Sequence, residues 1–194
     1  MADVPANSYQ PSSRADWRAW LDANHVREEG IWVVNYKKAS GKQAFTFDEA
    51  VEEALCFGWI DSKPSKLDAD RSMLWFAPRK SGSGWSRLNK TRVEKAIANG
   101  QMTPAGAAKI EAAKQDGAWY VLDAIEDLII PPDLAAAFEE YPSASQNFEA
   151  FPRSAKRGIL EWIFTAKKPE TRAKRIAETA RLAEDNIRAN QWRK

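Results

Sequence analysis

The stretch "WIDSKPSKLDADRSMLWFAPRK", residues 59–80, holds two runs of extended character around the polar turn "DADRS" at 68–72. Aromatic and apolar residues crowd the second run, and the turn is rich in residues that favour sharp reversals. The spacing predicts an antiparallel hairpin of 59–66 with 72–79. "IWVVNYKK", residues 31–38, is the other β-branched and aromatic run and supplies a third strand, followed by a turn at "ASGKQ", 39–43.

Helix signals surround these strands. Ser13 and Asp16 resemble a capping box ahead of Trp17, Trp20 and Leu21 at helical spacing, which predicts a helix over 14–24. Thr46 and Glu49 form a full capping box, and Gly58 can end the helix that follows in a left-handed turn. Ser86 is an N-cap for a helix ending at Asn99-Gly100, and Thr103-Pro104 opens another that stops at Gly117. Pro131-Pro132 breaks the chain, Ser154 opens a helix carrying Ile159, Leu160, Trp162 and Ile163, and Pro169 starts a last long one. Ile176, Ala180, Ala183 and Ile187 are expected along one side of it. The fold class is therefore α+β: a small antiparallel sheet packed by helices over residues 13–120, then a helical C-terminal segment over 132–190. The apolar run Ile125–Ile130 marks the connection.

Hydrophobic residues make up 44% of the 194, enough to build a packed core. Nine tryptophans are expected mostly in that core or in the wall of a cleft. No run approaches the roughly 20 apolar residues of a membrane span, and "MADVPANSYQPSSR" has no secretory apolar region. Cys56 is the only cysteine, so no internal disulfide forms, and the protein is expected in the cytoplasm. It sits near a helix C-terminus, which predicts a packed and unreactive thiol. His25 is the only histidine and is expected at the surface or capping the first helix. With no zinc-ligand spacing and no complete calcium loop, neither a metal nor a cofactor is expected.

Charge is uneven. Residues 59–100 carry nine Lys and Arg against four Asp and Glu, and residues 151–194 carry twelve against five. The rest of the chain is acidic, since the formal net charge is only +2. One reading of the two basic segments is a positive face for an anionic partner; the other is ordinary solvated helix surface.

Three blocks are similar to a known family. They are "ALCFGWIDSK", "FAPRKSGSGWSRLNKTRVEKAIANGQMTPAG" and "SAKRGILEWIFTAKKPETRAKRIAE". Within them stand Gly58-Trp59-Ile60-Asp61, Pro78-Arg79-Lys80, Trp85-Ser86, Asn89 and Thr171-Arg172. Over roughly residues 15–185 the chain resembles the bacterial YdeI/OmpD-associated family, often labelled bacteriocin-protection proteins. The resemblance implies a link to antimicrobial or stress resistance, and it carries over no catalytic residue.

The residues themselves point to a binding site around the loop at 79–89. Gly82 and Gly84 let backbone amides approach a ligand, and Ser86 starts a helix whose amides point outward. Arg79 is expected to pair with an anion beside Lys80, with Ser83 and Ser86 donating hydrogen bonds, Trp85 as an apolar wall and Asn89 at the rim. If 59–63 is regularly extended, Trp59, Asp61 and Lys63 share one face and complete a pocket. Arg172 and Arg175, near Lys168 and Thr171, form a further stripe that is either a phosphate contact or a solvated face. The leading expectation is a cytoplasmic binding module for a small anionic or polar ligand. A second is a nucleic-acid-binding protein using segments 59–100 and 151–194, with Trp75 or Trp85 stacking on bases, although the acidic remainder opposes a large positive footprint. A third is an enzyme with Asp61 as general base.

Overall fold

A computed structural model describes residues 4–42 and 45–191. The chain divides into two compact units, Met1–Tyr120 and Val121–Lys194.

The first unit contains the expected hairpin. Strand β3, Trp59–Lys66, pairs antiparallel with β4, Arg71–Pro78. The turn is set by Asp68, whose Oδ1 accepts from the amides of Asp70 and Arg71 while Oδ2 accepts from the Arg71 guanidinium. That local bonding is why an Asp-rich pair of turn residues reverses the chain here. Strand β2, Ile31–Tyr36, lies antiparallel on the other side of β4, with Val33 opposite Leu74. A two-residue strand β1, Ser8–Tyr9, adds to β2 in parallel. The sheet is thus four-stranded and mixed, in the order β1-β2-β4-β3, and not wholly antiparallel. After β2 a short 3-10 turn, Lys38–Ser40, ends at Gly41 with φ +68°. Gln43, the last residue of the turn expected there, lies outside the described residues.

Four helices cover one face. They are α1, Arg14–Asn24; α2, Phe47–Cys56; α3, Arg87–Ala98; and α4, Pro104–Gln115. Trp17, Leu21, Val51, Leu55, Val93 and Ile110 from these helices join Val33, Leu74, Phe76 and Trp59 of the sheet in one core. Buried indole N–H groups need acceptors, and two of them find carbonyls: Trp17 donates to Ala50 and Trp59 to His25.

The caps of the first unit act as the sequence indicates, with one variation; in the second unit Ser154, expected to open a helix, lies inside Arg153–Phe164, which starts at Pro152 without a side-chain cap. Thr46 and Glu49 satisfy each other's amides reciprocally. Ser13 accepts from the Asp16 amide, but Asp16 returns its bond to Ser12, one residue before the cap, and also accepts from the Tyr9 hydroxyl. That short bond to a carboxylate, followed by partial burial, pushes Tyr9 up to about 12. His25 is the C-cap of α1. Glu53 is only 3% exposed and takes both Arg14 and Arg18 at 2.6 Å, which ties α1 to α2.

Two glycines seat α4 on the end of α2. Gly58 leaves α2 with φ +76°, and a Cβ there would stand 2.7 Å from the Lys109 side chain. A Cβ on Gly106 would stand 2.2 Å from the Cys56 carbonyl oxygen. That carbonyl accepts from the amide and hydroxyl of Thr103, so the last turn of α2 and the first turn of α4 satisfy each other.

The second unit is helical: α5, Asp123–Glu126; α6, Pro132–Glu139; α7, Ala144–Ala150; α8, Arg153–Phe164; and α9, Pro169–Glu184. Leu134, Phe138, Phe148, Ile159, Ile163 and Ala180 form its core. The apolar run 125–130 is partly α5 and partly a turn in which Leu128 takes φ +59°. The long last helix stops at Glu184, with Asn186 at φ +56°, so Ile187 leaves the expected stripe and is 38% exposed.

Candidate functional site

The residues singled out between 59 and 89 fall in four environments. Trp59 belongs to the core, fully buried and edge-on to Trp20. Asp61 lies opposite Phe76, and Pro64 opposite Leu74, so three steps along β3 match two along β4. This bulge puts Ser62 and Lys63 against the single residue Trp75. Residues directly opposite share a face, so Asp61 stays with Trp59 and Phe76 while Lys63 passes to the other side. There its ammonium sits 5.4 Å from the Trp32 ring and 5.7 Å from the Trp75 ring. The shared face expected of Trp59, Asp61 and Lys63 does not form, because the bulge resets the alternation.

Arg79 is 4% exposed. Its guanidinium carbon stands 3.8 Å over the Trp85 ring, and Nη2 donates to the carbonyls of Ser83 and Gly84 at 3.2 and 2.7 Å. Burial pushes it down to about 10, against the charge of Asp61, which acts in the opposite sense. The side chain thus holds the loop closed on a buried Trp85. The small residues of the loop meet a carboxylate from within the chain: Asp116, just after α4, accepts from the Ser81 hydroxyl at 3.0 Å and the Gly82 amide at 3.1 Å. Its other oxygen accepts from the Ala118 amide. These amide and hydroxyl donors, the Ala118 amide first, hold Asp116 below the usual carboxylate range. Lys80, Ser83, Lys109 and Asp116 border a cleft of about 60 Å³. Ser86 and Asn89 act in the helix start: Ser86 Oγ accepts from the Asn89 amide, and Asn89 Oδ1 accepts from Arg92.

A second cleft in the first unit, about 170 Å³, is lined by Arg14, Glu52, Cys56, Arg92, Lys95 and Gln101 among others. Its arginines are answered by acids, Arg14 by Glu52 and Glu53 and Arg92 by Asp48. Cys56 is packed, as expected, and burial followed by the nearby Glu53 charge pushes its thiol up.

A cavity of about 440 Å³ lies in the second unit, between α6 and α9. Ala137, Ala173, Ala177 and Ile176 line it. At one end Arg172 grips Asp133 through two bonds, Nε to Oδ2 at 2.7 Å and Nη2 to Oδ1 at 3.0 Å. This contact, led by the hydrogen bond, holds Asp133 below the usual carboxylate range. At the other end stand Glu140 and Tyr141. Of the expected basic stripe, Arg172 therefore lines a cavity, whereas Arg175 turns to the Trp162 carbonyl and ring. Asp133, Glu140 and Tyr141 were not legible as site residues. Arg172 and Asp133 are 39 positions apart, and only a Pro-Pro-Asp helix start marks the acid.

A mixed sheet with helices in the first unit and a helical second unit make this an α+β protein with an all-helical C-terminal part. Residues 9–109 match the family described as Domain of unknown function (DUF8412), and the chain belongs to that family. Residues 127–186 match the family described as Bacteriocin-protection, YdeI or OmpD-Associated, so the resemblance read from the sequence holds for the C-terminal part. The motif residues at 58–89 fall in the first match and Thr171-Arg172 in the second. No curated protein and no solved structure matches the chain. Among the described residues no helix is long and apolar enough to cross a membrane, and no group of three His, Cys, Asp or Glu residues could hold a metal ion.

Proposed function

We propose that the protein is a binding module for a small polar ligand, that the ligand lies between α6 and α9, and that binding serves the bacteriocin protection after which the family of the C-terminal part is named. One observation carries the reading: the cavity of about 440 Å³ lies inside the matched segment 127–186 and joins an apolar floor to a few polar groups at its ends. That combination, at that size, is what small-molecule sites have in common. The loop at 79–86 supports it less well, since its cleft is about 60 Å³ and Asp116 already takes its donors. We assign the protein to the cytoplasm, where a chain whose only cysteine is buried has no use for a disulfide framework.

The test is a thermal-shift panel of amino acids, carboxylates, phosphates, amines and nucleotides on the wild type and on Ala177→Trp. Ala177 lines the cavity from an exposed position, so the indole fills the space without disturbing the core. A ligand at a hundred times its Kd raises stability by about 2.7 kcal/mol and should shift the wild type only. If no compound shifts the wild type, or Ala177→Trp responds equally, the reading fails.

A second reading, single-stranded nucleic acid, is favoured by one feature: Trp32 and Trp75 meet edge to face at 5.2 Å on the sheet face that Lys63 shares. Trp85, at 1% exposed, has no face to offer a base. Affinity for a labelled oligonucleotide should then fall steeply with salt and with Trp75→Ala; no binding at low salt removes it.

A further inference from the structure

The cavity between α6 and α9 has an ion pair at one end and a lone carboxylate at the other. Asp133 meets Arg172, and ten residues on the Ser143 amide meets the Glu184 carboxylate, so α6 and α9 run in the same direction. Going along that direction, the groove passes from the guanidinium, over Ala137, Ala173, Ile176 and Ala177, to Glu140 and Tyr141. Seven residues of helix separate Asp133 from Glu140, a rise of about 10 Å.

The ends differ in what they leave unanswered. Arg172 uses Nε and Nη2 on Asp133, and Nη1 has no partner among the described residues. A guanidinium has five N–H donors, so a ligand carboxylate can be held without breaking the pair with Asp133. Glu140 forms no ion pair or hydrogen bond among the described residues, and the Tyr141 hydroxyl is equally free. Glu140 is also the C-cap of α6, where unsatisfied carbonyls add negative potential. A cation is favoured at that end, and at the other an anion can take only the remaining Arg172 donors. The walls between offer methyl groups and no backbone donors, which suits an aliphatic stem better than a chain of amides.

Resting on the reading that this cavity binds a small polar ligand, we infer that its ligand class is the linear zwitterion: a carboxylate on Arg172, an ammonium on Glu140 and Tyr141, and an unbranched aliphatic stem over the alanines. A lone carboxylate or a lone amine satisfies one end and leaves the other solvated.

The experiment is titration calorimetry of the full chain with 6-aminohexanoate, hexanoate, hexylamine and hexanedioate. The wild type should bind 6-aminohexanoate at least tenfold more tightly than hexanoate or hexylamine. Glu140→Gln should bring 6-aminohexanoate down to the level of hexanoate. Glu140→Lys should reverse the choice and make hexanedioate the best of the four. Glu140 is exposed and unpaired, so both variants should melt like the wild type, which separates loss of binding from loss of fold. Equal affinity for all four compounds, or a wild-type preference untouched by Glu140→Gln, overturns the inference. If hexanoate alone binds and Ala177→Trp blocks it, the cavity is a ligand site and the zwitterion assignment is wrong. If none of the four binds the wild type, the zwitterion assignment falls, and the wider ligand panel then decides the cavity itself.

Discussion

The loop at Ser81–Ser86 and the groove between α6 and α9 are built from similar parts. Each sets an arginine beside small residues, and each has an aspartate within reach. In the loop the parts close on one another: Arg79 is buried over Trp85 and bonds backbone carbonyls, while Asp116 takes the Ser81 and Gly82 donors. In the groove the pairing is partial: Arg172 and Asp133 meet at the surface, and Glu140 stands apart across a cavity. A cation that bonds its own backbone is a structural element. One that keeps a donor beside open volume is available to a ligand.

The comparison can be broken most directly at Trp85. A fully buried indole replaced by Ala should cost about 3–5 kcal/mol in urea denaturation. Arg79→Ala should follow at about 2–3 kcal/mol, since it strips charged hydrogen bonds from two carbonyls and uncovers the Trp85 ring. Arg172→Ala, by contrast, should cost less than about 1 kcal/mol, because its ion pair is partly exposed and screened. An Arg172 variant costlier than the Arg79 variant would invert the assignment of structural and available cations.

Asp116→Asn sharpens the same contrast through pH. The folded carboxyl is held below its usual value, so the unfolded chain binds more protons as the medium is acidified. The stability it contributes is complete above the unfolded pKa of about 4 and is lost as pH falls through the lower folded value. The melting difference between wild type and Asp116→Asn should therefore be clear at pH 7 and vanish in acid; a difference that persists at pH 2 would show that the carboxylate charge is not what holds the loop. The smallest effect is expected from Ala177→Trp without ligand, within about 0.5 kcal/mol of wild type in the same denaturation.

Elements whose ends are written into adjacent residues were legible. Thr46 with Glu49, Ser86, and Thr103-Pro104 mark starts, and Gly58, Gly100 and Gly117 take positive φ at stops. The short helices α5, α6 and α7 have no side-chain cap, so nothing local announces them beyond Pro131-Pro132. β1 is two residues whose only claim to be a strand is β2, more than twenty positions on. The bulge in β3 is invisible for a related reason: an extra residue in a strand shows only against its partner. Arg79 followed by Lys80 and a run of Ser and Gly looks like surface, and its burial depends on a Trp85 ring that the loop must first fold back to present. Asp116 was hidden by distance, 34 residues from the Gly82 amide it accepts from.

The contact between α2 and α4 constrains how chains of this kind can diverge. Gly58 and Gly106 stand 48 positions apart, and each faces the other helix where any side chain would collide. A single substitution at Gly106 drives a methyl into the Cys56 carbonyl, and no change at Gly58 relieves it, so neither site offers a neutral path by single steps. The hairpin turn at 68–70 lies between them and is exposed, or nearly so, and a change in its length costs the local Asp68 and Lys37 bonds but touches neither glycine. Descendants should therefore vary in the spacing between the two glycines long before they lose either one.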